Sequence, residues 1–142
     1  MAIQYEPRLG TLVRCDFRGG FKPPEMVKPR PCVVLSRRGL ERGRLCTVVP
    51  LSTTPPDPVH PYHHKLVTTQ LPAALSGGDV WAKCDMLFTA SWDRLNLIQT
   101  GRDLATGKRT YWNNVISGED LRAIKCCILH TLALESLNEH VR

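Results

Sequence analysis

The chain has 142 residues, of which 42% are hydrophobic and 23% are charged, and its formal net charge is +6. This length is typical of a single domain with a packed core, and the hydrophobic content excludes a disordered chain. No apolar run approaches the roughly 20 residues that span a bilayer, and residues 1–10 lack the pattern of a secretory signal. We therefore expect a cytoplasmic protein without a membrane segment.

The positive charge is concentrated in the first third of the chain. Residues 1–44 contain ten of the nineteen Lys and Arg side chains but only four of the thirteen acidic ones, so the remaining residues are neutral overall. A one-sided basic surface favours a polyanionic partner, either nucleic acid or an acidic protein segment. The charge alone is equally compatible with a solvated basic face that binds nothing.

Six cysteines are present, and none forms a C-x-x-C pair. Their spacing fits neither a disulfide framework nor a zinc site. We expect reduced thiols that behave as small hydrophobic side chains. The six are Cys15, Cys32, Cys46, Cys84, Cys126 and Cys127.

The first two-thirds of the chain have the pattern of short strands separated by Pro- and Gly-rich loops. Loose alternation, near-continuous apolar runs and β-rich stretches indicate the strands. The predicted strands are 9–17, 31–36, 45–51, 64–67, 80–89 and, as the last, 95–99. A basic turn is predicted at 37–43, and loops rich in Pro or Gly at 18–30 and 52–62.

The C-terminal region has helical periodicity instead. Ser117 is a predicted N-cap, and Asp120 follows three positions later as the acid of a capping box. The apolar residues at helical spacing are Leu121, Ile124, Ile128 and Leu132. One amphipathic helix is therefore predicted over about 118–137, packed on a small open β-barrel or a strongly twisted sheet.

Five segments occur in a distinctive order along the chain. They are GTLVRCDF (10–17), PEMVKPRPCVVLS (24–36), VVPLSTT (48–54), VWAKCDMLFT (80–89) and VISGEDL (115–121). Together these segments resemble the MazF/PemK family, the toxins of type II toxin–antitoxin systems. Each segment alone is weakly specific, and the order and spacing over about residues 9–137 make the resemblance specific.

The resemblance implies a single domain over residues 1–142, mainly β with α, in which an SH3-like β-barrel is followed by a C-terminal helix. It implies a homodimer that cleaves single-stranded mRNA without a metal or cofactor. It also implies an acidic antitoxin that covers the RNA site, and contact with operator DNA through the antitoxin complex. A branch of the same fold poisons DNA gyrase, and a non-catalytic module that binds nucleic acid or protein is a further alternative.

Metal-free cleavage uses the 2′-hydroxyl of the RNA as nucleophile, so the protein must supply a base, a proton and positive charge. By resemblance, Arg30 is the family arginine that precedes the proline of the buried strand. Its guanidinium can contact phosphate oxygens in a bidentate manner, and its high pKa favours charge stabilisation over proton donation. The alternative is a surface arginine that only flanks a strand.

The remaining catalytic candidates also follow from the resemblance. Ser52 stands where the family favours Thr, and its hydroxyl is expected to bind the scissile phosphate unless it only caps a loop. Lys83 and Asp85 match a catalytic Arg and Asp of the PemK branch, and their two-residue spacing predicts one shared strand face. A simple ion pair is the alternative there. Glu25 matches the candidate base of the MazF branch, so the sequence contains two candidate bases and does not choose between them.

Further residues are predicted to contact RNA rather than to react. Thr53, Lys28 and Trp81 are the candidates. Trp81 is expected to share a face with Lys83 and either to stack on an unpaired base or to pack in the core or the dimer interface. Trp92, Tyr111 and Trp112 have either that role or a packing role. The histidine cluster of the Pro-rich loop has no matched family position, and an RNA contact or simple exposure is favoured over catalysis for His60, His63 and His64. The basic segment 102–112 is expected either to shape sequence preference or to extend the dimer surface.

Overall fold

The computed structural model describes residues 2–39 and 42–142. Within these residues the chain forms nine strands and one α-helix, with short 3-10 turns between them. The strands are β1 (Leu12–Cys15), β2 (Arg30–Val34), β3 (Leu45–Ser52), β4 (His63–Lys65), β5 (Trp81–Lys83), β6 (Phe88–Ser91), β7 (Leu95–Asn96), β8 (Gln99–Arg102) and β9 (Arg109–Tyr111), and the helix is α1 (Gly118–Thr131). The basic turn predicted at 37–43 lies partly outside the described residues.

Seven of the strands form one antiparallel sheet in the order β4-β5-β3-β2-β1-β7, with β6 also paired to β3. The long strand β3 pairs with β2 along one edge and with β6 and then β5 along the other. β3 is long because its apolar, β-branched sequence is buried almost throughout. The mainly β fold with a single C-terminal helix, predicted from the sequence, is confirmed.

The segment opposite β3 is broken rather than continuous. In β3, two residues lie between Val48, which pairs with β6, and Leu51, which pairs with β5. In the opposite segment, five residues lie between their partners Phe88 and Ala82. The additional residues form the 3-10 turn Cys84–Met86, a strong irregularity of the kind that redirects side chains beside functional sites. The prediction of one strand over 80–89 is therefore wrong at its centre. Lys83 ends β5 and Asp85 lies in the turn, so the predicted shared strand face is also wrong.

The two faces of the sheet carry separate apolar clusters, because successive strand residues point to opposite sides. The first cluster, here called the helix core, packs beneath α1 and includes Leu12, Val33, Val49, Leu51, Ala82 and Ile124. The second cluster, here called the loop core, lies on the other face beneath the N-terminal residues and the loop after β1. It includes Ile3, Val13, Phe17, Cys32, Val34 and Val48.

Helix α1 begins as predicted, since Ser117 Oγ accepts the Asp120 N–H at 3.1 Å. The predicted reciprocal contact of the capping box is wrong. The Asp120 carboxylate instead accepts hydrogen bonds from His64 Nε2 and from the N–H groups of Val67 and Thr68. The Ser117 N–H donates to Thr68 Oγ1 at 3.0 Å, so the start of α1 is bonded to the segment that follows β4.

The predicted C-terminal end of the helix, near residue 137, is wrong. Ala133 adopts a left-handed conformation with a φ of 58°, which α1 cannot continue through. The Leu134 N–H donates to Leu129 O at 2.7 Å, and the Ala133 N–H donates to His130 O at 3.1 Å. These two bonds form a Schellman motif, in which glycine is the usual residue at the position of Ala133. A short 3-10 turn then completes the chain.

The prediction of a last strand over 95–99 is also wrong. That region is divided between β7 and β8, and β8 and β9 form a separate antiparallel hairpin. The hairpin turn is held by Asp103, whose carboxylate accepts the N–H groups of Ala105 and Thr106 at 2.8 and 3.0 Å. The segment 102–112 therefore forms a solvent-exposed hairpin for most of its length.

All six cysteine thiols are free, and five of them are buried as expected for small hydrophobic side chains. Across the described ranges, no helix has the length and apolar character needed to cross a bilayer. In the same part of the chain, no three His, Cys, Asp or Glu side chains are grouped so that they can hold a metal ion.

Candidate functional site

The sheet face that points away from α1 is covered in part by the loop core. Its remaining part, formed by β4, β5 and the adjoining ends of β2 and β3, is here called the open face and carries several of the predicted site residues. Leu51 and Ala82 belong to the helix core, on the side of α1. Ser52, Trp81 and Lys83 are their immediate neighbours along β3 and β5, so they face the opposite way. The prediction that Trp81 and Lys83 share a face is confirmed.

Arg30 reaches the same open face from β2. It lies three positions before Val33 of the helix core and therefore points away from α1. In the β2–β3 ladder Cys32 pairs with Pro50, so continuing the ladder by two residues brings Arg30 opposite Ser52. Arginine and hydroxyl thus occupy adjacent strands at the same level of the sheet.

The guanidinium of Arg30 is partly buried and has no partner in the described part of the chain. Its Nε–H group is fully buried and donates to no acceptor in residues 2–39 or 42–142. None of the ion pairs within those ranges involves Arg30. Among the charged side chains described, only this one has a buried polar atom left without a partner. This donor is available to an acceptor from outside the chain, either water or a ligand oxygen.

The hydroxyl of Ser52 has a structural contact as well as a functional position. Ser52 is 7% exposed, and its Oγ accepts the Thr54 N–H at 3.1 Å, which caps the turn after β3. The hydroxyl proton meets only the Thr54 carbonyl at 3.5 Å. Ser52 therefore stabilises the loop and can still donate its proton to an anion on the open face.

The two candidate bases line one groove beside the open face. The loop after β1 forms one wall of the groove, and the turn between β5 and β6 forms the other. Aromatic rings make up its floor, with Phe21 and Phe88 packed edge to face at 5.1 Å. The lining residues are Phe17, Phe21, Pro24, Glu25, Met26, Asp85, Met86, Leu87 and Phe88.

The carboxylates of Glu25 and Asp85 differ in their bonding. Glu25 Oε2 accepts the Lys22 N–H at 2.5 Å, so this carboxylate caps its own loop turn. Asp85 is exposed and has no hydrogen-bond or ion-pair partner in the described part of the chain. Lys83, two positions before Asp85, also has no hydrogen-bond or ion-pair partner for its side chain in the described part of the chain.

Lys28 and Thr53 are exposed, and the structure does not bring them into the groove. Lys28 lies in the loop before β2, and Thr53 lies in the turn that Ser52 caps. In the described ranges neither side chain has a hydrogen-bond partner. Their predicted contacts with RNA thus depend only on their position near Arg30 and Ser52.

Arg94 organises the loop wall of the groove, a role that the sequence analysis missed. Its guanidinium donates to the carbonyls of Asp16 and Arg18 at 2.9 and 3.1 Å, and it lies over the Phe21 ring at 5.0 Å. Hydrogen bonds from the Arg18 side chain to both oxygens of Asp16 lower the pKa of that carboxyl to about 2. Arg94 is 78 residues from Asp16 and 76 from Arg18 in sequence, so no local pattern could show these contacts.

Comparison with known proteins decides the family. Residues 8–128 match the family described as PemK-like, MazF-like toxin of type II toxin–antitoxin system. The chain belongs to this toxin family. A relative in Escherichia coli (strain K12), the putative uncharacterized protein YifN, is 35% identical over 121 residues, covering 72% of this chain and 80% of the relative.

Solved structures of this toxin family share the fold. The crystal structure of MazF (Form-I) from Deinococcus radiodurans has a TM-score of 0.62 and 18% identity, covering 92% of this chain and 99% of that one. An endoribonuclease in complex with its cognate antitoxin, from a mycobacterial species, has a TM-score of 0.58 and 18% identity, covering 91% and 97%. At this level of identity, both likenesses show the fold alone.

His63 in β4 extends the open face of the toxin beyond the residues that the sequence motifs named. His63 pairs with Lys83, and Lys65 pairs with Trp81, in the antiparallel β4–β5 ladder. Paired residues project to the same side, so His63 lies on the open face next to Lys83. Burial lowers the pKa of His63, as do His60 and Lys83 nearby, while Asp85 acts in the opposite direction. The sequence analysis placed His63 in an exposed loop, because β4 was predicted to begin one residue later.

His64 points to the other face and has a structural role in the toxin. Its Nε2 contacts Asp120 Oδ1 at 2.8 Å, and the Asp120 side chain is fully buried. Burial raises the pKa of Asp120, but hydrogen bonds from Thr68, Val67 and His64 outweigh it, so the pKa lies below its ordinary value. Asp120 thus bonds α1 to β4 and keeps the edge of the open face in place.

Two of the other aromatic candidates are partly buried and pack against the apolar clusters. Trp112 lies against the helix core and Trp92 lies against the loop core. The Arg44 guanidinium covers the Trp92 ring at 5.0 Å. These contacts favour packing over base stacking for both tryptophans.

Proposed function

We propose that this toxin is an endoribonuclease that cleaves single-stranded mRNA at preferred sequences, needs no metal ion, and thereby inhibits translation and growth. The observation that carries the proposal is the position of Arg30, whose partly buried guanidinium has an unpartnered Nε–H and lies on the open face at the level of Ser52. Solved relatives with this fold are described as endoribonucleases, which supports the same activity.

In the proposed reaction the 2′-hydroxyl oxygen attacks the adjacent phosphorus and the bond to the 5′-oxygen breaks. The products are a cyclic phosphate and a free 5′-hydroxyl. Arg30 contacts the phosphoryl oxygens through its planar guanidinium, which matches their geometry. Lys83 adds a second positive charge from β5, as a point charge without the fork geometry of an arginine.

A carboxylate of the groove accepts the proton of the 2′-hydroxyl. We favour Asp85 over Glu25, because Glu25 already accepts the Lys22 N–H. Asp85 follows Lys83 at the edge of the open face, within the turn that interrupts the strand. The leaving 5′-oxygen takes its proton from water. Ser52 donates its hydroxyl proton to a non-bridging phosphate oxygen.

Substrate recognition uses the rest of the open face. Trp81 offers its indole ring for stacking on an unpaired base, the usual mode of single-strand recognition. Lys28 and Thr53, on the loops that border Arg30 and Ser52, contact neighbouring phosphates. Single-stranded RNA can reach these groups because Trp81 is partly exposed and Lys28 and Thr53 are exposed, while α1 packs on the opposite side of the sheet.

The proposed partners follow from the family. Solved relatives include toxins bound to a cognate antitoxin, and the basic first third of this chain suits an acidic antitoxin segment laid over the RNA site. We propose a cytoplasmic homodimer that contacts operator DNA only through its antitoxin complex.

Expression in bacteria tests the proposal. The wild-type protein is expected to arrest growth and to produce mRNA fragments with 5′-hydroxyl ends, and Arg30→Ala is expected to do neither. Arg14→Ala is the matched control, because Arg14 lies on the neighbouring strand β1 and pairs with Pro31 on the far side of the site. Killing by a folded Arg30→Ala variant, with mRNA intact, would reject the proposal. A supercoiling assay would then test gyrase poisoning, and binding without killing would indicate a non-catalytic module.

A further inference from the structure

His63 lies opposite Lys83 in the β4–β5 ladder. A role for this side chain rests on the proposed function, because it would contact the same RNA. The Cys84 N–H donates to Tyr62 O, and the Leu66 N–H donates to Val80 O. These bonds alternate along the ladder, so His63 and Lys83 form one of the pairs without hydrogen bonds between them. Side chains approach most closely in such pairs.

The ring of His63 is held in one orientation. Its Nδ1 atom accepts the His60 N–H at 3.0 Å. The Tyr62 ring packs against it with centroids 4.6 Å apart and an interplanar angle of 66°. Because Nδ1 accepts this bond, the proton of the neutral ring is on Nε2. Nε2 is therefore a donor and cannot serve as a base.

The charged, doubly protonated form of the His63 ring is disfavoured near neutral pH. A second proton would have to enter at Nδ1 and break the bond to His60. Burial, which lowers the pKa of His63, acts in the same direction, as do Lys83 and His60, whereas Asp85 partly offsets them. The ring is therefore neutral near pH 7, unlike the histidines that shuttle protons in other metal-free ribonucleases.

We propose that His63 is an RNA-binding residue of the toxin, which donates a hydrogen bond from Nε2–H of its neutral ring to a phosphate oxygen that Lys83 also contacts. The phosphate belongs to the nucleotide beside the cleaved one, because β4 is the edge strand of the sheet beyond β5. Lys65, two residues further along β4 on the same face, lies at the next step of this path. The open face thus extends from Arg30 on β2 to the edge of the sheet.

Two conservative substitutions separate this role from a purely structural one. In His63→Gln the side-chain amide nitrogen occupies the place of Nε2, so a donor to RNA is retained while the acceptor for His60 is lost. In His63→Asn the amide oxygen occupies the place of Nδ1, so the acceptor for His60 is retained while the donor is lost. Both variants lack a titratable ring. The hydrogen bond from the His60 N–H, which only His63→Gln loses, lies in an exposed loop. Both variants are therefore expected to fold.

The measurement is the affinity of the full-length protein for a fluorescent single-stranded RNA of mixed sequence, in which every 2′-hydroxyl is methylated to prevent cleavage. We expect His63→Gln to bind within about twofold of wild type and His63→Asn to bind about tenfold more weakly, as for one lost bond to a charged acceptor. The affinity of wild type and of His63→Gln should change equally between pH 7 and 8, where the lowered pKa leaves the His63 ring neutral. Equal binding by all three proteins would overturn the inference. Weak binding by His63→Gln with full binding by His63→Asn would also overturn it, in favour of a loop-capping role.

Cleavage of unmodified RNA, measured in parallel, distinguishes failure of the proposed ribonuclease activity from failure of the proposed RNA contact of His63. If wild type cleaves the RNA and both variants bind and cleave as it does, the inference fails and the proposed function stands. If wild type binds but does not cleave, the proposed function fails while the binding pattern of the variants still decides the role of His63. If wild type neither binds nor cleaves RNA, both are overturned.

Discussion

Ser52 and Trp81 are direct partners across β3 and β5, so a hydroxyl and an indole ring lie side by side on the open face. One of these groups suits a phosphate and the other suits a base. Arg30 follows at the same level on β2. In the proposed complex, each part of one nucleotide contacts a different strand.

Replacing Trp81 tests the stacking role. Trp81→Ala is expected to weaken binding of non-cleavable single-stranded RNA by roughly tenfold or more, since a stacked base contributes about 1–3 kcal/mol. Trp81→Phe should retain most of the affinity, because it keeps an aromatic face. Fluorescence anisotropy measures both. Equal loss in the two variants, with unchanged thermal unfolding, would show that the ring does not stack on RNA.

The choice between the two carboxylates can be made with amide variants. Asp85→Asn is expected to lower kcat by about 10²–10⁴-fold, as for loss of a general base. Glu25→Gln should lower it by less than about tenfold, because this side chain can still accept the Lys22 N–H. Single-turnover cleavage kinetics measure both. The reverse order of effects would assign the base to Glu25.

Asp120 should make the stability of the toxin depend on acidity. Its pKa is depressed in the folded protein, so its contribution is present above the ordinary carboxyl pKa and is lost as the pH falls through the lower folded value. At neutral pH, Asp120→Ala is expected to reduce the free energy of unfolding by about 2–4 kcal/mol, since it leaves the donors of Val67 and Thr68 unpaired. Urea unfolding at neutral pH and near pH 3 measures this. A difference between variant and wild type that does not shrink at low pH would contradict the account.

The end of α1 offers a stabilising substitution. Ala133→Gly should raise the free energy of unfolding by about 0.5–1 kcal/mol, because glycine adopts a φ of 58° without a Cβ penalty. Ala123→Gly, in the middle of the same helix, is the matched control and should lower it by a similar amount. If both substitutions destabilise the protein equally, α1 does not end at the Schellman motif.

The sequence patterns correctly predicted those elements whose signals lie within a few neighbouring residues. Apolar runs marked β2 and β3, and Ser117 marked the start of α1. The α1 terminus was missed because Ala133 occupies a position where glycine is the usual signal. The turn at Cys84–Met86 was missed because it depends on how that segment pairs with β3, which no local pattern encodes.

The candidate site was predictable to a similar extent. Arg30, Ser52, Trp81 and Lys83 were named from family motifs, and strand register places them on one face. Arg94 and Asp120 act through contacts with segments distant in sequence. His63 became visible only when β4 was placed beside β5.

The central claim is that Arg30 acts on the scissile phosphate of a metal-independent ribonuclease. The most direct test incubates purified wild type, Arg30→Ala and Arg14→Ala with a long single-stranded RNA in EDTA and maps the new ends. The account predicts discrete cuts with 5′-hydroxyl ends for wild type and Arg14→Ala, and a loss of rate of about 10²–10³-fold or more for folded Arg30→Ala. Intact RNA at high concentrations of wild type, or equal cutting by all three proteins, would contradict it.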